Sequence, residues 1–129
     1  MVIDTSAIVA ILQKEPESGR FLSLIEADAT RLMTAANYLE AAIIIEDRFG
    51  YDGIRDLKLF LAEAGIDIEP VTFVQAETAR EAYRTYGRGN HPAGLNYGDC
   101  FAYALAKATG APLLFKGSDF GQTDIEPAG

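Results

Sequence analysis

The sequence predicts an α/β fold, a mainly parallel sheet covered by helices on both faces, and three observations carry that prediction. Short apolar runs at residues 2–4, 31–34, 66–71 and 112–115 alternate with stretches of helical periodicity, the pattern of strands joined by crossover helices. Gly and Pro punctuate the chain at Pro16, Gly50, Gly53, Gly65 and Gly110, between those runs rather than within them. Of 129 residues 49% are apolar and only 5 are Pro, which suits one domain over residues 1–129 with a sizeable core and excludes a disordered chain.

Taken in order, Val2 to Asp4 reads as a short buried strand. Thr5 and Ser6 are good N-cap residues for a helix over 7–13. After Pro16, the grouping of Phe21, Leu22, Leu24 and Ile25 predicts a second short helix. Arg31 to Thr34 forms a second strand that enters a long helix over 35–49, and Gly50 to Gly53 turns the chain. Ile54, Leu57, Leu61 and Ala64 recur at helical spacing, with Gly65 as a C-terminal stop. Residues 66–71 alternate apolar with acidic, and Thr72 starts a helix to Tyr86. A loop over 87–94 leads to a nearly all-apolar helix from Tyr97 to Thr109, closed by Gly110. The strand 112–115, a turn over 116–119 and a short segment around Ile125 complete the chain.

One Cys, one His and no Trp leave no disulfide framework, no Cys/His zinc site and no Cys–His nucleophile pair to spare. Any chemistry must run on carboxylates or hydroxyls. Cys100 reads as a small buried apolar residue. With 19 acidic against 11 basic residues, the net charge of −8 excludes nucleic-acid binding by bulk positive charge, so any such binding has to be local. The opening apolar run is broken by Asp4 after three residues, which fits neither a signal peptide nor a membrane span, and a cytoplasmic protein is expected.

Four acids stand where acids do not belong. Asp4 ends the first strand and Asp119 lies just past Leu113-Leu114-Phe115, so in a parallel sheet both occupy the edge where strand carboxyl ends open to a crevice. Glu40 shares a helix face with Ala36, Ile43, Ile44 and Asp47, a stripe expected to face the core. Asp99 is the only charged residue between Arg88 and Lys107 and opens the most apolar helix. Each alone has a structural explanation: Asp4 as a helix cap, Asp99 satisfying first-turn amides, Glu40 paired with Arg48. Together they repel, and each unpaired buried charge costs several kcal/mol, so a cation is expected among them. Oxygen-only ligation selects a hard divalent ion, Mg²⁺ or Mn²⁺, of use in activating water for phosphodiester hydrolysis. Thr5 and Ser6 either orient that water or a phosphate, or only cap their helix.

These residues fall in four blocks: Met1-Val2-Ile3-Asp4-Thr5-Ser6-Ala7, Tyr38-Leu39-Glu40-Ala41, Leu95 to Ala104 around Gly98-Asp99, and Gly117-Ser118-Asp119-Phe120 with Thr123-Asp124-Ile125. In that order and over this length, the chain resembles the PIN-domain ribonucleases, most closely the VapC toxins of type II toxin-antitoxin modules. The resemblance implies a PIN-like three-layer α/β/α sandwich and a metal-dependent endoribonuclease. Its target would be a structured RNA of the translation machinery, tRNA or rRNA, and a cognate antitoxin would hold it in check. It implies an active site of Asp4, Glu40, Asp99 and Asp119, with Asp4 and Asp99 as metal ligands and Asp124 in support. It also implies a homodimer, for which the face of Ile54, Leu57, Phe60 and Leu61 is a candidate unless that face packs inside the monomer.

For RNA contact the candidates are Arg80, Arg84 and Arg88, spaced by four, and Lys116 beside the Asp119 turn. Glu77 and Glu81 stand three residues before Arg80 and Arg84, which makes a salt-bridged solvated face the competing reading. Among other classes, a phosphorylated receiver-like switch shares the length, the acidity and a Lys after a late strand. It needs a phospho-accepting Asp at the end of a middle strand, and the strand ending at Thr34 has none. A haloacid-type phosphatase needs a second Asp where Ser6 stands. A non-catalytic PIN-shaped binding module is the remaining alternative.

Overall fold

In the computed structural model, which describes residues 1–129, β1 (Val2–Ile3) occupies the middle of the sheet. β2 (Leu32–Thr34) and then β3 (Asp67–Glu69) lie on one side of it and β4 (Leu113–Leu114) on the other, giving the order β3-β2-β1-β4. Every pairing is parallel, with Val2 opposite both Leu32 and Leu113. Alternation along these short strands separates two cores. Ile3 and Leu114 face α1 (Thr5–Leu12), α2 (Ser18–Ala27) and α3 (Ala35–Glu63). Val2 and Leu113 face α4 (Phe73–Tyr86) and α5 (Tyr97–Thr109). The result is the three-layer α/β/α sandwich the sequence implied. The chain builds outward from β1 to β3 and then crosses to β4, so strand order reverses beside β1. The crevice at the strands' carboxyl ends opens at this switch point.

Several local expectations are corrected. The N-cap of α1 is Asp4, not Thr5 or Ser6: its side chain accepts from the Ser6 amide, and the helix begins at Thr5. The expected turn over Gly50 to Gly53 is a single kink inside α3, where Gly50 takes φ 65° and ψ −153°. Gly53 is back inside the helix and buried, and a Cβ there would stand 2.6 Å from Phe49 Cβ. The buried stripe of the first half of α3 is Asn37, Ala41 and Ile45, whereas Ile43 is 54% exposed and Asp47 lies on the surface. Leu57 and Leu61 pack into the core under β1, with Ile54 and Phe60 half-buried beside them. Cys100 is buried as expected, and burial pushes its thiol up to about 11. No helix is long and apolar enough to cross a membrane.

Candidate active site

Asp4 follows directly from β1, its amide bonded to the Leu114 carbonyl at 2.9 Å, so its side chain enters the crevice from the sheet's floor. It is 3% exposed. Oδ2 accepts from the Ser6 amide at 3.0 Å and from the Ser6 hydroxyl at 2.6 Å, while Oδ1 is enclosed by protein with no partner. Burial pushes the carboxyl up to about 7, against the two Ser6 hydrogen bonds, and the charges of Asp99 and Glu40 add to the rise. Ser6 in turn accepts from the Lys116 amide at 2.9 Å, which ties the chain leaving β4 to the floor of the site.

Asp99 lies in the first turn of α5, the third residue after the cap Asn96. The two form a capping box: Asp99 Oδ2 accepts from the Asn96 amide at 3.0 Å, and Asn96 Oδ1 accepts from the Asp99 amide at 2.9 Å. The structural explanation of Asp99 is therefore correct as far as it goes. It does not exhaust the residue, because burial raises this carboxyl too, and the charges of Asp119 and Glu40 act in the same direction.

Glu40 comes from the second turn of α3 and is half-buried, without the expected ion pair to Arg48. Its carboxylate lies against Gly98, where a Cβ would come within 2.5 Å of Oε2 and 2.7 Å of Oε1. Asp119, exposed before the 3₁₀ turn Phe120–Gln122, makes no capping bond of its own. Four elements thus bring Asp4, Glu40, Asp99 and Asp119 into one electrostatic neighbourhood at the switch point. They do not form a ready ligand cage: no three of them meet at coordinating geometry.

The remaining candidates divide. Thr5 turns away from the crevice and donates to the Asn37 carbonyl at 3.2 Å, while Ser6 serves Asp4 directly. Asp124 is not part of the cluster, since it accepts from the Tyr103 hydroxyl at 2.7 Å and from Lys107 at 2.8 Å. Lys116 sits near Ser6 but is paired with Glu15 and, at 3.4 Å, with Glu17. Arg80 is paired with Glu77 at 2.9 Å, so the solvated-face reading holds for it. Arg84 is exposed in the last turn of α4. Arg88 lies near enough to Asp99 to oppose the rise of its carboxyl. Arg80 and Arg88 also line a groove of about 660 Å³ between α4 and α5, with Tyr83, Tyr97 and Phe101. Sequence reasoning missed two residues of the site's frame, Asn37 and Gly98. A glycine inside a predicted helix was the available signal for the second.

A parallel α/β sandwich with four acids at its switch point, and neither His nor Cys among them, has the architecture of the PIN class. The family model for the PIN domain matches residues 1–126, and the chain belongs to that family, among its VapC members. It is 60% identical over 125 residues to Ribonuclease VapC30 of Mycobacterium tuberculosis, covering 97% of this chain and 95% of the relative. Among solved structures it is similar to Mycobacterium tuberculosis VapC20, described as a sarcin-ricin loop cleaving toxin, with TM-score 0.78 and 15% identity over 96% of this chain and 95% of the other. It is also similar to a chain of a toxin-antitoxin complex from Klebsiella pneumoniae, with TM-score 0.70 and 15% identity over 95% of this chain and 92% of that one.

Proposed function

We propose that this chain is a divalent-metal-dependent endoribonuclease, the toxin of a toxin-antitoxin pair, acting as one PIN domain in the cytoplasm on a structured tRNA or rRNA. The observation that carries the metal reading is the enclosed, partnerless Oδ1 of Asp4 beside the charges of Glu40 and Asp99. A buried carboxylate oxygen without a donor is unfavourable unless a cation completes it, and the oxygen-only donor set suits Mg²⁺ or Mn²⁺. Asp4 and Asp99 would hold the ion.

Such an ion, when bound, lowers the pKa of the attacking water and offsets charge developing on the phosphodiester. The protein's own part is positional. Ser6 fixes Oδ2 of Asp4 and leaves Oδ1 without a donor, and the capping box holds Asp99 in the first turn of α5. Asp119, exposed and free of hydrogen bonds from its own turn, is the carboxylate able to take the water's proton.

Support for RNA as substrate comes from the ribonuclease relative and from the family resemblance, which also favours an antitoxin partner and a homodimer. Leu57 and Leu61 are spent in the core, so a dimer would draw on the half-buried Ile54 and Phe60 or on exposed apolar residues such as Phe73, Val74 and Tyr97. The test incubates purified protein with tRNA and with rRNA fragments in Mg²⁺, in Mn²⁺ and in EDTA. Discrete cleavage products only with metal are expected. Undiminished cleavage in EDTA, with contaminating nuclease excluded by an Asp4→Asn control, overturns the metal mechanism.

A further inference from the structure

We infer that Asn37 is a positioning residue: its buried amide, locked by Thr34 and bonded to Gly98, sets how closely Glu40 on α3 and Asp99 on α5 approach one another. Asn37 is 0% exposed, which is unusual for a side chain with four hydrogen-bonding positions. Its Oδ1 accepts from the Thr34 hydroxyl at 2.8 Å, and the same hydroxyl accepts from the Asn37 backbone N–H at 2.9 Å. The Gly98 carbonyl, which can only accept, fixes which end of the side-chain amide is nitrogen: Nδ2 donates to it at 3.0 Å and Oδ1 is left facing the Thr34 hydroxyl. The Asn37 carbonyl takes the Thr5 hydroxyl at 3.2 Å. One residue therefore joins the ends of β1 and β2 to the first turn of α5.

Asn37 and Glu40 are three apart on α3 and face the same way. Both meet Gly98, the amide on its carbonyl and the carboxylate on its Cα, where the missing Cβ leaves room. Glu40 and Asp99 repel each other, and Gly98 is the residue next to Asp99. A neutral hydrogen bond at that joint opposes the separation that the charges favour. A carboxylate in place of the amide would set an acceptor against an acceptor and add charge to the cluster.

This rests on the reading of the acids as a cation site, and the experiment separates the two. Mn²⁺ binding is measured without RNA, by titration calorimetry, on wild type, Asn37→Ala and Gly98→Ala, with urea unfolding of the metal-free proteins and cleavage across a Mg²⁺ series. Positioning groups behind metal ligands typically change affinity by about 10- to 100-fold, so at least a tenfold rise in the Mn²⁺ dissociation constant is expected for Asn37→Ala. The half-saturating Mg²⁺ for cleavage should rise in parallel, with partial recovery of rate at high metal. Gly98→Ala should be as stable as wild type or more so, since its φ is not positive and alanine favours helix, yet bind Mn²⁺ more weakly because Glu40 is displaced. Should Asn37→Ala fail to fold, Asn37→Ser keeps a hydroxyl for Thr34 and is too short for Gly98. A lower urea midpoint with unchanged Mn²⁺ affinity in these variants reduces Asn37 to a structural residue and overturns the inference. A wild type that binds no Mn²⁺ overturns the cation reading itself, and the inference with it.

Discussion

Ser6 satisfies one oxygen of Asp4 and leaves the other alone: both its amide and its hydroxyl reach Oδ2, at 3.0 and 2.6 Å, and none of its donors reaches Oδ1. The asymmetry orients the carboxylate, and although the Ser6 hydrogen bonds favour its ionised form, burial and the acids around it push Asp4 up to about 7. A carboxyl raised in the folded state holds its proton after the unfolded chain has released its own. Between about pH 4 and pH 7 the metal-free protein therefore loses stability as pH rises, by up to a few kcal/mol, and the loss levels off above pH 7. Bound cation reverses the preference, so the rise in melting temperature caused by Mg²⁺ should grow from pH 6 to pH 8. Thermal melts with and without Mg²⁺ at pH 5, 6, 7 and 8 check this, and Asp4→Asn should remove most of the slope, leaving the smaller part that the raised Asp99 contributes, and should weaken the Mg²⁺ effect.

Asp99 has two roles that substitution can separate. Asparagine retains an acceptor for the Asn96 amide and removes one negative charge from beside Glu40 and Asp119. Cleavage by Asp99→Asn should fall below detection while the metal-free fold melts at the same temperature or higher. Asp99→Ala should be equally inactive but should also lose the side-chain half of the capping box, the bond to the Asn96 amide, at a cost of about 1 kcal/mol or ~4 °C. If the asparagine variant melts ~4 °C lower instead, the capping box is the whole function of Asp99.

Much of this site was legible because charge interrupts apolar sequence in only a few places. Asp4 breaks an apolar strand and Asp99 opens an apolar helix, and both mark the crevice. Glu40 was found on a misread face. Ile43 and Ile44 made one side of α3 look like the core side, while the buried stripe runs through Asn37, Ala41 and Ile45. Hydropathy misleads there because Asn37 is inside for its hydrogen bonds, which depend on Gly98, 61 residues away. Strands of two or three residues are too short to show alternation, so the separation of Val2 from Ile3 into opposite cores appears only in three dimensions.

Asp124 offers a contrast, being an acid in the matching region that the fold assigns elsewhere. It joins the buried Tyr103 to the exposed Lys107. Asp124→Ala leaves the Tyr103 hydroxyl without its partner, which should cost about 1 kcal/mol of stability by urea titration, the exposed ion pair adding little. Cleavage rate at saturating Mg²⁺ should stay within twofold of wild type. A large fall in rate with stability intact would return Asp124 to the active site.

An acidic crevice that needs a cation can be filled by an antitoxin as well as by a metal. A guanidinium is permanently charged and able to bridge two carboxylates, so an antitoxin segment that places an Arg between Asp4 and Asp99 would compete with the metal directly. The charge contact must first offset desolvation of both partners, so apolar residues beside that Arg have to supply most of the affinity by packing on exposed helix surface. Inhibition by the cognate antitoxin should therefore weaken as Mg²⁺ rises, to an extent beyond what the same ionic strength of NaCl produces. Replacing the inserted Arg by Ala should restore most of the cleavage while the complex still forms on a sizing column. Inhibition indifferent to Mg²⁺ and to that replacement would mean that the partner blocks RNA from outside the crevice, leaving the acids untouched.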